Sequence, residues 1–132
     1  MNGPIHSGRC HCGQVDVTLR GPLPPPSMCH CRACQRRTGS VFGVQVRVPK
    51  ERFSVRGEVA TFTRRGEGEV CFRFCPGCGS TVWWTLDGFP DSVSVAVGIL
   101  AGTPIPAPTF SVYEERMQPW VPLPESIETH WD

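Results

Sequence analysis

Three clusters of cysteine limit what this chain can become more than any other feature in it. The sequence carries Cys10-x-Cys12, then Cys29-x-Cys31-x-x-Cys34, then Cys71 followed by Cys75-x-x-Cys78, eight thiols in 132 residues. Thiols one residue apart bridge each other poorly, because disulfide geometry strains so short a loop. Cysteine makes up about 6% of the chain, below the roughly 8–10% of a disulfide scaffold. Met1 to Gly13 contains no apolar run of the secretory kind. The pattern therefore predicts thiolates held on metal in a reducing compartment, the cytoplasm. Seven or eight thiolates come close to the number that two tetrahedral zinc ions require.

The spacing sorts the thiols into two sites. Cys75-Pro76-Gly77-Cys78-Gly79 is a zinc knuckle, with glycines that permit the tight turn between its two ligands. A knuckle needs a second pair, and Cys10 with Cys12 supplies two ligands with no third nearby. Four thiolates make a closed, structural site whose metal affinity becomes folding free energy. Cys29, Cys31 and Cys34 remain, and three ligands with an open fourth position is the arrangement of a catalytic zinc. The alternative is that Cys71 closes this site as well. The open site is favoured because Cys71 lies in a strand-like segment, out of phase with Val70, Phe72 and Phe74.

The remaining sequence predicts one mainly β domain over residues 1–132. Glycine and proline number 14 each, so regular elements are short and turns frequent. The apolar patterns have period two: Val15, Val17, Leu19; Phe42, Val44, Val46, Val48; Val70, Phe72, Phe74; and Val93, Val95, Val97, Ile99. Thr81 to Leu86 and Val59 to Thr63 are strand-like too, and Gly66-Glu67-Gly68 reads as a hairpin turn. The helical candidate is a turn or two from Arg32 to Arg37. Pro22 to Pro26 and Thr103 to Pro108 are loops, since proline cannot complete a sheet ladder. A formal charge of +1 and a pI near 7.6 argue against a nucleic-acid partner, whose domains usually exceed about pI 9. No stretch approaches the roughly 18 apolar residues of a membrane span.

Cys29-His30-Cys31-Arg32-Ala33-Cys34-Gln35-Arg36-Arg37-Thr38-Gly39-Ser40 resembles the signature of the glutathione-dependent formaldehyde-activating family, which also contains the centromere protein V domain. Gly8 to Gly13 resembles its first motif, Phe74 to Ser80 its third, and Pro119-Trp120-Val121 its closing segment. The resemblance implies an Mss4-like fold of coiled antiparallel β-sheets with zinc-knuckle motifs. It implies two zinc ions: a structural one on Cys10, Cys12, Cys75 and Cys78, and a catalytic one on Cys29, Cys31 and Cys34. It implies a carbon–sulfur lyase of the S-(hydroxymethyl)glutathione synthase type, with a small thiol such as glutathione as partner. The competing reading is a non-catalytic zinc-binding module of the same fold.

Other residues are weighed against plainer roles. His11 and His30 sit between ligand cysteines, where an extended backbone turns the middle side chain away from the metal. Both are expected outside the ligand set, with His6 and His130 carrying no signal. Arg32, Arg36 and Arg37 flank the open site, where guanidinium groups would offset its negative charge. Arg36, Arg37 and Ser40 are the substrate-binding candidates, with Thr38 to Ser40 as a turn facing the site. Of Trp83 and Trp84, which alternate on one strand, one belongs to the core and the other is a candidate cleft wall. Trp120 is expected to pin the C-terminal segment to the sheet.

Overall fold

A computed structural model describes residues 3–66 and 68–132. The strands are β1 (Ile5–Arg9), β2 (Asp16–Arg20), β3 (Ser27–Cys29), β4 (Gly43–Pro49), β5 (Phe53–Arg56) and β6 (Ala60–Arg64). They continue with β7 (Val70–Phe74), β8 (Thr81–Leu86), β9 (Ser92–Ala96), β10 (Phe110–Val112) and β11 (Thr129–His130). A single α-helix among the described residues, α1 (Arg32–Thr38), follows Cys31, with short 3-10 turns elsewhere. The fold is mainly β, and no helix among the described residues is long and apolar enough to cross a membrane.

Two sheets result. The smaller runs β1-β2-β5, and the larger β11-β10-β3-β4-β9-β8-β7-β6. Pairing is antiparallel except at one edge, where β10 runs parallel to both β3 and β11. Strand alternation gives the larger sheet two different faces. One carries Val46, Val48, Val93 and Val95, which meet Leu19 of the smaller sheet and Leu100 in a buried cluster. A second cluster joins Cys10, Val15, Val17, Cys75, Val82 and Ile99. Each of these buried aliphatic side chains contributes roughly 1.5–3 kcal/mol. Trp83 packs against Phe53 at 4.9 Å between the sheets. The other face carries α1.

The period-two segments become strands, with one correction. The run Val93 to Ile99 was expected as one strand, but β9 ends at Ala96 and Val97–Leu100 forms a 3-10 turn. That turn sends Ile99 into one buried cluster and Leu100 into the other, which a straight strand cannot do. It also presses on β1: a Cβ at Gly8 would lie 2.5 Å from the Ile99 carbonyl oxygen. Two further expectations meet the structure differently, and a third falls partly outside the described residues. His6, read as carrying no signal, pairs with Leu19 inside β1. Trp120 is 69% exposed, and Val121 and Ile127 are the buried anchors of the C-terminal segment instead. The expected turn at Gly66-Glu67-Gly68 joins two strands that pair as far as Arg64 and Val70, but Glu67 itself lies outside the described residues.

Candidate metal centres

The knuckle Cys75 to Ser80 follows β7, the strand of the larger sheet that Val70, Phe72 and Phe74 anchor, and Cys10 and Cys12 lie on the loop between β1 and β2. Antiparallel pairing within each sheet and packing between them bring the two loops together. The four sulfurs lie within 4.8 Å of one another, with Cys10 to Cys12 at 3.7 Å and Cys12 to Cys75 at 3.6 Å. All eight cysteines are free thiols. A tetrahedral ion with sulfur at about 2.3 Å holds its ligands about 3.8 Å apart, so the spacing fits zinc. Backbone N–H groups already point at sulfur: Val15 donates to Cys10 and Gly77 to Cys75, each at 3.3 Å. The Ser80 hydroxyl and amide pull the Cys78 thiol down to about 5. A Cβ at Gly77 would sit 2.7 Å from the Gln14 side-chain oxygen, a contact that the end of that side chain can yield.

The second cluster forms where β3 ends and α1 begins. Cys31 is the N-cap of α1, its sulfur accepting the Cys34 N–H at 3.3 Å, and Gly39 closes the helix in a left-handed conformation. One helical turn thereby turns Cys34 back towards Cys29 and Cys31. The three sulfurs lie within 4.8 Å of one another, and Cys71 is not among them. Sheet register explains why. Cys29 pairs with Gly43, on the same face as Gln45, Arg47, Ser94, Trp84 and Phe72. Cys71 pairs with Thr63 and Thr85 on the opposite face. Cys71 therefore does not close the second cluster.

Three thiols this close cannot all ionise without a cation. Hydrogen bonds from Cys29 and Cys34 hold Cys31 far below the ordinary thiol range, with the Cys34 amide and Arg64 adding to the effect. The same contacts, seen from Cys29, push its thiol far up. A divalent ion held by the three sulfurs would remove this conflict. Both donor sets are thiolate, which suits zinc.

Helix α1 divides the expected arginines. Arg37 turns toward the cluster: its guanidinium lies 4.4 Å from the Trp84 ring centre and 5.4 Å from Phe72. A Cβ on Gly43 would lie 3.0 Å from that guanidinium and 3.5 Å from the Cys34 Cβ, so glycine lets α1 settle on β4. Trp84, itself buried, is thus the tryptophan on the cluster's side of the sheet, and Trp83, half-buried, packs against both buried clusters. Arg32 and Arg36, four residues apart, share the other side of the helix. With Gln35, Glu115, Arg116 and Gln118 they line a cavity of about 350 Å³. Ser40 is exposed, and its N–H donates to the Thr38 hydroxyl. Of the three candidates for substrate contact, only Arg37 has its charge acting on a cluster thiol, Cys34.

Sequence reasoning gave no role to five residues in this neighbourhood: His30, Ser111, Glu114, His130 and Arg64. His30 is fully buried, with Nε2 3.1 Å from the Ser111 hydroxyl of β10, and burial holds its pKa below the ordinary value. It is oriented away from the thiols and lies outside the ligand group. Glu114 and His130 continue this polar line at 2.7 Å. Arg64 approaches from β6, 5.8 Å from the Phe72 ring centre. Its phase with Phe62 is visible in the sequence, but only cross-strand register brings it to Phe72. Ser111, Glu114 and His130 have no local signal, because their partners are 16 to 81 residues away.

Comparison with known proteins agrees with this arrangement. A crystal structure of a Rhodobacter sphaeroides protein superimposes on 96% of this chain and 99% of its own, with a TM-score of 0.61 at 20% identity. That likeness speaks to the fold. No curated protein matches the chain. Residues 5–116, which include all eight cysteines, match the family described as glutathione-dependent formaldehyde-activating enzyme. The chain belongs to that family.

Proposed function

We propose that this protein is a zinc-dependent enzyme of the carbon–sulfur lyase type, acting on the adduct of a small, glutathione-like thiol with formaldehyde or another small aldehyde. The observation that supports this most is the three-cysteine cluster, which Cys71 does not join because register puts it on the opposite face of the sheet. In this reading Cys10, Cys12, Cys75 and Cys78 hold a structural zinc. Cys29, Cys31 and Cys34 hold a second that is one ligand short. We take residues 1–132 as one domain working in the reducing cytoplasm, where thiol ligands stay reduced.

Zinc bound there would supply a Lewis acid that keeps an incoming thiol ionised at neutral pH, where a free thiol of pKa about 8.5 is only a few per cent thiolate. The chain's own groups do the remainder. Arg37, 4.4 Å above the Trp84 ring centre, offsets the negative charge that accumulates on the sulfurs. Trp84 and Phe72 wall the cluster on the sheet side and keep water from the reacting sulfur. In the synthetic direction the sulfur adds to the aldehyde carbon, one carbon–sulfur bond forms, and the carbonyl oxygen takes up the thiol's proton. Arg36 and Ser40 are further contacts for the thiol compound, Arg36 through the cavity it lines beside α1.

The test is a titration of glutathione into cobalt-substituted protein, with formation of the hydroxymethyl thioether followed by NMR. The expected result is a change in the cobalt–thiolate absorption together with faster adduct formation than in buffer. An unchanged band at millimolar thiol with no acceleration would refute the enzyme reading and leave a binding module.

A further inference from the structure

His30 stands between two of the three clustered thiols and is tied down at three points. Its backbone N–H donates to the Val112 carbonyl at 3.1 Å, and its own carbonyl accepts the Gln35 side-chain amide at 2.9 Å. Its buried ring meets the hydroxyl of Ser111, equally buried, at 3.1 Å. The Gln35 amide donates onward to the Arg116 carbonyl at 3.2 Å. All of these ties lead to one segment, β10 and the 3-10 turn that follows it. The ladder between β10 and β3 adds to them, with Val112 beside Cys29. The three-cysteine loop therefore takes its shape from residues such as Ser111, 81 positions further along the chain.

That segment is fastened in turn by β11. The Trp131 N–H donates to the Ser111 carbonyl at 2.8 Å, and the Trp131 carbonyl accepts the Glu114 N–H at 2.9 Å. His130 Nδ1 lies 2.7 Å from a Glu114 carboxylate oxygen, and the Trp131 ring meets Phe110 edge-on at 5.1 Å. Between these ties Tyr113 takes φ 58° and ψ 42°, the one positive φ outside glycine among the described residues. A bulky residue rarely holds this left-handed conformation, and does so where its surroundings over-determine it. The Tyr113 ring is 43% exposed, so the bonds on either side, Val112 to His30 and Glu114 to Trp131, hold the corner. β11 lies outside the residues 5–116 that match the family, so this fastening is not part of what the match describes.

We propose that Ser111 is a positioning residue for the three-cysteine site, and that β11, by fastening the β10 corner around it, sets how firmly that site keeps its metal. This rests on the reading of Cys29, Cys31 and Cys34 as metal ligands. Ser111 acts through His30. With the hydroxyl in place the buried ring has a partner on Nε2, and the residues on either side of it present their sulfurs together. Nδ1 is already buried without a partner, so loss of the hydroxyl leaves both ring nitrogens unsatisfied in the interior. The loop then gains by turning the ring towards water, which spreads the thiols. A buried hydrogen bond of this kind changes an equilibrium by roughly tenfold. The four-cysteine site is built on the β1–β2 loop and the knuckle, so the effect is selective.

The test follows transfer of zinc from the purified, loaded protein to the chromogenic chelator pyridylazoresorcinol. Cys34→Ser, which lacks the second ion, assigns the two phases of release. Ser111→Ala is expected to keep both ions on purification and to release the second-site ion roughly tenfold faster, with the first-site phase unchanged. His130→Ala, an exposed change, gives a smaller acceleration of the same phase and carries the test if Ser111→Ala does not fold. Val48→Ala opens a cavity between the sheets and weakens the whole fold, yet leaves the ratio of the two rates as in wild type. In cobalt-loaded protein Ser111→Ala shifts the visible bands of the second site, and Val48→Ala does not. Equal acceleration of both phases in Ser111→Ala, or a rate ratio that matches Val48→Ala, overturns the proposal. An unaltered second phase in His130→Ala overturns the part assigned to β11. If wild type releases a single ion, the metal reading of the cluster fails separately, and iodoacetamide labelling of Cys29 and Cys31 with peptide mass mapping decides. Faster labelling in Ser111→Ala then supports the positioning role, and equal labelling overturns it.

Discussion

Replacing one ligand in each cysteine cluster should affect stability very differently, and the structure gives the size of the difference. Cys12 and Cys75 are 63 residues apart in sequence and join the two sheets. Treated as a cross-link, a loop of that length removes roughly 4 kcal/mol of entropy from the unfolded chain. Cys29 to Cys34 closes a loop of six residues, for which the same relation gives roughly 2 kcal/mol. The four-thiolate site also adds its own affinity to folding, on the order of 10 kcal/mol, comparable with the whole stability of a domain. Cys75→Ser should therefore lose both its zinc and its cooperative thermal transition. Cys34→Ser should lose one zinc and melt within about 10 °C of wild type, at several degrees per kcal/mol. Circular dichroism melts paired with elemental analysis measure both quantities. Equal destabilisation by the two substitutions, or a Cys75→Ser protein that melts normally, would refute the structural role assigned to the first cluster.

Cys71→Ala should keep the full zinc content and lie within about 1 kcal/mol of wild type, because its side chain faces away from the cluster; loss of one zinc by elemental analysis would show the second site to be closed. Ser111→Ala removes the partner of buried His30 Nε2 and should cost about 1–3 kcal/mol by chemical denaturation, with zinc content retained. Burial acts to raise the Glu114 carboxyl, but the Ser111 hydroxyl and His130 outweigh it and leave it below the ordinary range. A carboxyl lowered in the folded state stabilises above its unfolded pKa, and that stability is lost as pH falls through the folded one. Glu114→Gln should therefore flatten the acid limb of the stability profile, and an unchanged limb would exclude this contribution.

Much of this architecture was legible because it is local. The helical turn from Arg32 and the alternation through β4, β7 and β8 are fixed within a few residues. The partition of the thiols followed from spacing, and the phase of Cys71 against Phe72 correctly separated it from the other three. Legibility ended where register between distant strands decides. The 3-10 turn at Val97–Leu100 is invisible in an apolar run, because the segment it packs against, at Gly8, lies some ninety residues earlier. Arg32, Arg36 and Arg37 look equivalent in sequence, and only the docking of α1 on β4 sends one to the metal side and two to the other. Trp120 was read as an anchor on its size, yet Val121 beside it carries the burial.

The parallel pairing of β10 with β3 has a consequence in time. Every ligand of both clusters has been synthesised once Cys78 is made, and the four-cysteine site can close as soon as the two sheets meet. The three-cysteine loop has to wait. Its His30 N–H bonds the Val112 carbonyl at 3.1 Å, and its imidazole needs Ser111, both near the end of the chain. On the ribosome, therefore, the three-cysteine pocket is completed only after every cysteine of the other cluster has been made. The three thiols, among the first to be made, are thus the last to be enclosed, and the nascent chain carries them open until β10 pairs with β3.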